Sequence, residues 1–189
     1  LQLRLEEDCY VDKSRFVAEV LEDRSRVILL PRPRRFGKTL NLSTARYFFE
    51  RPPPAAVKTG NVRQAFSGLS IERAGDPVWR HFQRHPVVYL TFKDQKGPNW
   101  SLSGSLARLI ADEVLRHLPA FETSLTADDQ RTFEAVVRGS RPPELLERSL
   151  FLLTRWLHQA TGEKAFILID EYDTPIHDVY GNEERYNEV

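Results

Sequence analysis

The sequence predicts an α/β fold, a parallel sheet covered on both faces by helices, and three observations carry that expectation. Residues 27–30, 87–92 and 166–169 are short apolar runs rich in β-branched or aromatic side chains, the composition of strands buried in a parallel sheet. Between them lie stretches whose apolar residues recur at helical spacing, so strands and helices alternate along the chain. The first run leads into a basic, glycine-bearing turn and the third ends in adjacent carboxylates, at the strand ends where α/β folds place ligand sites.

Each element has its own local cause. Asp12 can cap a helix that carries Phe16, Val17, Val20 and Leu21. The run at 27–30 meets Pro31 and Pro33, which hold Leu30 and Arg32 extended, so the strand runs straight into its loop. Gly37, Lys38 and Thr39 then open a helix with Leu40, Ala45, Phe48 and Phe49 on its apolar face, and the prolines after Arg51 end it. Residues 51–84 are poorly periodic and are expected to cover the sheet as loops and short turns. His85 and Pro86 introduce the strand at 87–92, and a turn at Gly97, Pro98 and Asn99 follows. Ser101 or Ser103 starts a helix with Leu102, Leu106, Leu109, Ile110, Val114 and Leu118 on one stripe. Thr126 and Asp129 form a capping pair for a shorter helix ending at Gly139. Pro142 and Pro143 begin a longer one bearing Leu145, Leu146, Ser149, Leu150, Leu153, Trp156 and Leu157, which Gly162 stops just before the last strand.

Composition narrows the class without naming a function. A chain of 189 residues, 41% hydrophobic and 29% charged, is an ordinary globular one with enough length for a substantial core. Its formal net charge is zero, so no global charge argues for nucleic acid. Charge is uneven locally: Arg24, Arg26, Arg32, Arg34, Arg35 and Lys38 lie between residues 24 and 38, whereas eight acids oppose Lys164 and Arg185 from Glu163 onward. One cysteine, Cys9, excludes an intramolecular disulfide and suits a reducing compartment, so a cytoplasmic setting is expected. No apolar run approaches a membrane span, and no membrane partner is expected. His81, His85, His117, His158 and His177 lack metal-ligand spacing.

Chemistry concentrates at two places. Helix-start N–H groups point outward and the helix dipole favours an anion, so the turn at 32–39 suits a phosphate. Gly37 lets the backbone approach, Lys38 would reach the outer phosphates, and Thr39 would offer its hydroxyl to magnesium. Against the P-loop pattern of glycine, four residues, Gly-Lys-Ser/Thr, the first glycine falls on Arg32. Taken alone, the turn also fits a plain helix start with a solvated lysine. The second place is Asp170 and Glu171 at the tip of the last strand, a Walker B pattern. Asp170 would hold magnesium and Glu171 would orient and deprotonate the attacking water, because phosphoryl transfer rests on positioning and charge neutralisation. On an extended segment these two side chains would face opposite sides. Asp173 is a rival whose expected role is shaping the following loop. Solvated acids in a surface turn are the bland account of this pair. The two motifs in this order weigh more than either does alone. The candidate nucleotide-binding residues are Arg34, Arg35, Phe36, Gly37, Lys38, Thr39 and Leu40, with Lys38 and Glu171 catalytic and Thr39 and Asp170 on the metal. Whether Arg34 and Arg35 serve the phosphates or form a solvated basic loop stays open.

The chain also resembles a known family, the AAA-ATPase-like bacterial proteins that often carry a PD-(D/E)xK nuclease-type domain further on. The resemblance rests on residues 10–14 (Tyr-Val-Asp-Lys-Ser), 32–39 (Arg-Pro-Arg-Arg-Phe-Gly-Lys-Thr) with 41–43 (Asn-Leu-Ser), 66–71 (Phe-Ser-Gly-Leu-Ser-Ile), 85–88 (His-Pro-Val-Val) and 168–176 (Leu-Ile-Asp-Glu-Tyr-Asp-Thr-Pro-Ile). In that family an arginine at the first P-loop position is the usual form. The resemblance implies a three-layer P-loop NTPase that binds ATP and Mg2+. Residues 1–26 would be a leading segment and 27–189 the core, truncated after the Walker B strand. It further implies that the next strand inserts between the Walker B and P-loop strands, that the sensor and arginine-finger residues lie past Val189 or on a neighbouring subunit of a homo-oligomer, and that nucleic acid is met only through an attached nuclease-like domain. The 10–14 segment would lie ahead of the P-loop strand, near the nucleotide. Two functions remain: an ATPase whose hydrolysis drives an effector domain outside this chain, or a non-hydrolysing ATP switch that controls one.

Overall fold

The computed structural model describes residues 11–31, 33, 35–52, 62–93, 101–138 and 143–174. They are mostly helical with a small two-stranded parallel sheet, an α/β arrangement compatible with a P-loop fold but short of a full multi-stranded sheet. The chain divides into two compact units, residues 1–87 and 88–189.

In the first unit, α1 (Phe16–Glu22) buries Val17 and Ala18 and packs against α2 (Lys38–Phe49). Asp12 does not cap α1 as the sequence suggested. The residue before the helix is Arg15, in helical conformation and without a capping side chain, and the Asp12 carboxylate is committed elsewhere. In α2 the buried residues are Asn41, Thr44, Ala45, Phe48 and Phe49, whereas Leu40 is exposed. That corrects the expected apolar face: its N-terminal end stands clear of the core. Phe48 is the hub of an aromatic cluster, edge-on to Phe49, Phe66 and Phe82 and tilted against Trp79, at centroid distances of 5.2–5.6 Å. The carbonyls that α2 leaves open at its C-terminus find partners outside the helix: Phe48 O accepts from Gln83 N–H at 2.7 Å and Phe49 O from His85 N–H at 2.9 Å. Between these elements run 3₁₀ turns at Val62–Phe66 and Ser70–Ala74 and a single turn α3 (Asp76–Trp79), the short turns expected of this stretch.

The expected strand at 27–30 is absent. These residues are irregular, and Val27 and Leu29 are 81% and 62% exposed. A run of β-branched residues records a tendency to be covered, but a strand exists only where a neighbour takes its backbone hydrogen bonds, and among the described residues none pairs with 27–30.

Apart from Val87, the second unit holds the sheet, β1 (Val87–Thr91) and β2 (Phe166–Asp170), with α4 (Leu102–Phe121), α5 (Ala127–Val137) and α6 (Pro143–Thr161). Ser101 caps α4 through its hydroxyl, and Thr126 with Asp129 forms the full capping box of α5. Gly162, at φ +72°, ends α6. Val88, Leu90, Ile110, Val114, Phe121, Val136, Leu152, Leu153, Trp156 and Leu157 build one core. Asp129 joins it by a second route, accepting the Trp156 indole N–H at 2.8 Å and bonding Arg155 at 2.5 Å. The turn at 97–99 and Gly139 lie outside the described residues. Only β1 is largely buried. In β2, Ile167 and Ile169 are each 41% exposed, so this strand is covered on one face and not on both as expected.

The far edge of β1 is closed by a side chain. Phe92 N–H donates to Asp170 O at 3.1 Å, on the β2 side. Amides alternate sides along a strand, so Tyr89 N–H points the other way, where the buried Glu113 carboxylate accepts it at 2.9 Å. Arg116 holds that carboxylate at 2.7 and 2.8 Å, and an edge amide so occupied does not recruit another strand. Glu113→Ala is expected to lower stability to urea by about 1–3 kcal/mol, the usual cost of an orphaned buried donor, and Glu113→Gln by less because an acceptor remains. Equal midpoints for wild type and Glu113→Ala would refute the edge-closing role. In hydrogen exchange, the amides of Val27, Ile28 and Leu29 should exchange at open-chain rates while Val88 and Leu90 stay protected. Comparable protection would restore the strand at 27–30.

Candidate functional site

The sequence places the candidate residues in both units, and each set has its own geometry. In the first unit, 35–40 form a loop running into α2. Arg35 and Gly37 both have left-handed backbones, at φ +67° and +75°. For Arg35 this conformation costs on the order of 1 kcal/mol, whereas Gly37 adopts it without penalty. Gly37 is the residue before the helix, and no side chain caps α2. The first amides of a helix have no acceptor within it, so those of Lys38, Thr39 and Leu40 are offered outward. Arg35, Phe36, Thr39 and Leu40 are exposed and Lys38 is half-buried. Arg34 lies outside the described residues.

The loop is tied to a segment that sequence reasoning left without a mechanism. Asp12 accepts from the Ser14 amide at 2.9 Å and from both the amide and hydroxyl of Ser70 at 2.6 Å. The hydroxyl of buried Ser14 accepts the Ile71 amide at 3.0 Å. Between them, Lys13 Nζ donates to the Phe36 carbonyl at 3.1 Å. Three of the stretches that carry the family resemblance, 10–14, 32–39 and 66–71, are therefore joined by side chains. Partial burial pushes the Asp12 carboxyl up, but the Ser70 hydroxyl and the Ser14 and Ser70 amides outweigh it and lower its pKa from 3.8 to about 2.

In the second unit, Asp170 ends β2 and is 4% exposed. Its Oδ2 accepts from the Tyr89 hydroxyl at 3.2 Å, and its Oδ1 from the Glu171 amide at 3.1 Å. Glu171 is half-buried and left-handed, at φ +53°. Glu171 thus lies on a turn and not on an extended strand, which corrects the expectation that strand alternation sets the two side chains on opposite sides. Thr174 N–H closes this turn on Glu171 O at 3.0 Å, with Asp173 inside it. Tyr89 was missed as a partner of Asp170 because cross-strand register is not written in either run. No group of three or more His, Cys, Asp or Glu side chains able to hold a metal occurs among the described residues, and His81 and His85 bond each other at 2.9 Å. Thr39 and Asp170 do supply hydroxyl and carboxylate oxygens, the hard donors that magnesium takes. A cavity of about 220 Å³ lined by Arg63, Phe66, Glu72, Asp76 and Trp79 includes none of the candidate residues.

The model of a family described as "Predicted AAA-ATPase" matches residues 1–189. This chain belongs to the AAA-ATPase-like family. Membership supports an ATP-binding, ATPase-like function in general terms. The chain is also similar to an "Uncharacterized protein in vnfD 5'region" of Azotobacter chroococcum mcd 1, at 30% identity over 174 residues, covering 89% of this chain and 26% of that protein. The chain thus spans about a quarter of the length of this relative. No solved structure matches it. No helix among the described residues is long and apolar enough to cross a membrane.

The Asp12 contacts make a pH-dependent prediction. A carboxyl whose folded pKa lies below its unfolded value contributes fully above the unfolded value and loses that contribution as pH falls through the folded one. The Ser70 amide signal should therefore hold steady down to about pH 4 and titrate with a midpoint near 2. Asp12→Asn should abolish the transition, and a midpoint near 4 in wild type would show that the three hydrogen bonds do not form.

Proposed function

We propose that this chain binds Mg-ATP on the turn and first helical residues of α2 and hydrolyses it. The observation that carries this reading is the N-terminus of α2: a left-handed Gly37, no capping side chain, and Lys38 and Thr39 in the first turn. Amides of this first turn have no acceptor within the helix and can donate to phosphate oxygens, and the helix dipole adds to them. Lys38 supplies the charge that the outer phosphates and the transition state need. Arg35, Phe36 and Leu40 line the same turn and, with Arg34 from the sequence, are the further residues assigned to the nucleotide.

Thr39 and Asp170 would hold Mg2+, which when bound supplies charge neutralisation across the phosphates. The Tyr89 hydroxyl holds one oxygen of Asp170 and leaves lone pairs on both. Glu171, beyond the buried strand end and on its own turn, takes the proton from the attacking water. A neighbouring subunit supplies an arginine, and hydrolysis drives an effector domain, nuclease-like, outside this chain and in the cytoplasm. The coverage of only 26% of the curated relative agrees with a chain that works as part of a longer protein.

Lys38→Ala should weaken ATP binding in a calorimetric titration by roughly 10- to 100-fold, the loss expected for charge-assisted hydrogen bonds, without changing the fold. Wild-type affinity in that variant would end the P-loop assignment. Glu171→Gln should bind ATP normally and release phosphate roughly 10²- to 10⁴-fold more slowly, the usual contribution of a general base. Asp170→Asn should weaken both binding and turnover. Wild-type turnover in Glu171→Gln would remove the catalytic role, and ATP binding without any turnover in the full-length wild type would replace the enzyme by a switch.

A further inference from the structure

Lys13 has no part in the reaction just proposed, yet its side chain ends inside the loop that would carry it. Nζ donates to the Phe36 carbonyl at 3.1 Å across 23 residues of sequence and lies 3.8 Å from where a side chain on Gly37 would begin. Its backbone is held on both sides. Asp12 is bound to Ser70 and Ser14 to Ile71, so Lys13 is carried on a stapled segment that fixes where its stem starts.

The carbonyl that it holds belongs to the Phe36–Gly37 peptide. A trans peptide is planar and its C=O and N–H point in opposite directions, so fixing the carbonyl oxygen fixes the amide of the next residue. Glycine permits either orientation of that plane at small cost, because it tolerates both signs of φ. The loop sequence alone therefore does not choose one. Lys13 does: with its ammonium on the Phe36 oxygen, the Gly37 N–H must face away from Lys13.

We propose that Lys13 is a positioning residue for the phosphate turn, which orients the Phe36–Gly37 peptide so that the Gly37 amide is presented to a bound phosphate. The proposal rests on the nucleotide reading of the turn for its ligand and on the Lys13–Phe36 contact for its mechanism. An ammonium has three donors, so Lys13 can keep this bond while the others remain with water. Its charge also discourages the flipped peptide, which would bring an N–H towards it.

The test separates mechanism from ligand. In nucleotide-free protein, Lys13→Ala should shift the Gly37 amide resonance and speed its hydrogen exchange, Lys13→Arg should restore both, and Lys38→Ala should move neither by a comparable amount. With ATP, Lys13→Ala should weaken binding about tenfold, the factor that one hydrogen bond of ordinary strength represents, and Lys13→Arg should recover most of it. An unchanged Gly37 amide in Lys13→Ala overturns the proposal, whatever happens to affinity, because a mere charge effect would change affinity alone. Unchanged ATP affinity in Lys13→Ala, with binding lost in Lys38→Ala, overturns it while leaving the nucleotide reading intact. If wild type binds no ATP, the nucleotide reading fails and with it the phosphate role of Lys13, while the Gly37 amide still decides whether Lys13 sets the turn.

Discussion

An ionised carboxylate accepts hydrogen bonds and donates none, so several donors can meet on it without competing, and Asp12 uses this to hold two distant pieces of chain together. The Ser14 amide shapes its own turn, while the Ser70 amide and hydroxyl bring in the turn at the start of Ser70–Ala74. Ser14 adds a buried bond to Ile71, and Ile71 is fully enclosed. Through these three consecutive residues the Ser70–Ala74 turn and the Phe36 carbonyl of the loop before α2 are linked. Without the Asp12 bonds, Lys13 would start from a mobile segment, and the entropy of ordering a long side chain would oppose its contact with Phe36.

The helix that follows is built unevenly along its length. Its C-terminal end carries Phe48 and Phe49 into an aromatic cluster, and its last carbonyls are taken by the amides of Gln83 and His85. Its N-terminal end has exposed Thr39 and Leu40 and no capping side chain. Burying one end fixes the helix axis, so amides at the other end keep a constant direction without a capping side chain. That combination of rigidity and open donors is what a preorganised anion site requires, because no reorganisation then opposes binding.

In the second unit, a comparable economy of acidic side chains appears. Asp129 serves both as partner in a capping box and as acceptor for the Trp156 indole, which ties the start of α5 to the middle of α6. Hydrogen bonds from Trp156 first, then Thr126, with the charge of Arg155 also present, hold its carboxyl below the usual range. Glu113 closes the edge of β1. At the end of β2, Glu171 occupies a left-handed backbone that a residue with a side chain adopts at a cost of order 1 kcal/mol, and strain of this kind gathers at functional positions. The turn separates a buried Asp170 from a half-buried Glu171.

Local chemistry by itself determined much of this protein. Caps at Ser101 and Thr126, the stop at Gly162, the helix-ending prolines and the helical stripes through Val114 and Trp156 are all short-range effects, and they appear where their residues sit. The glycine-bearing turn before α2 and the carboxylates at the end of β2 were legible for the same reason, since each is a contiguous run. Tertiary structure decided what depends on a neighbour. Whether 27–30 forms a strand turns on a partner for its backbone, and whether β2 is covered on one face or two turns on what packs against Ile167 and Ile169. The bonds of Asp12 to Ser70, Lys13 to Phe36 and Tyr89 to Asp170 span 58, 23 and 81 residues. No periodicity or spacing encodes such pairs, because a side chain's reach is a few ångströms in space, and only the folded chain says which residues that distance includes.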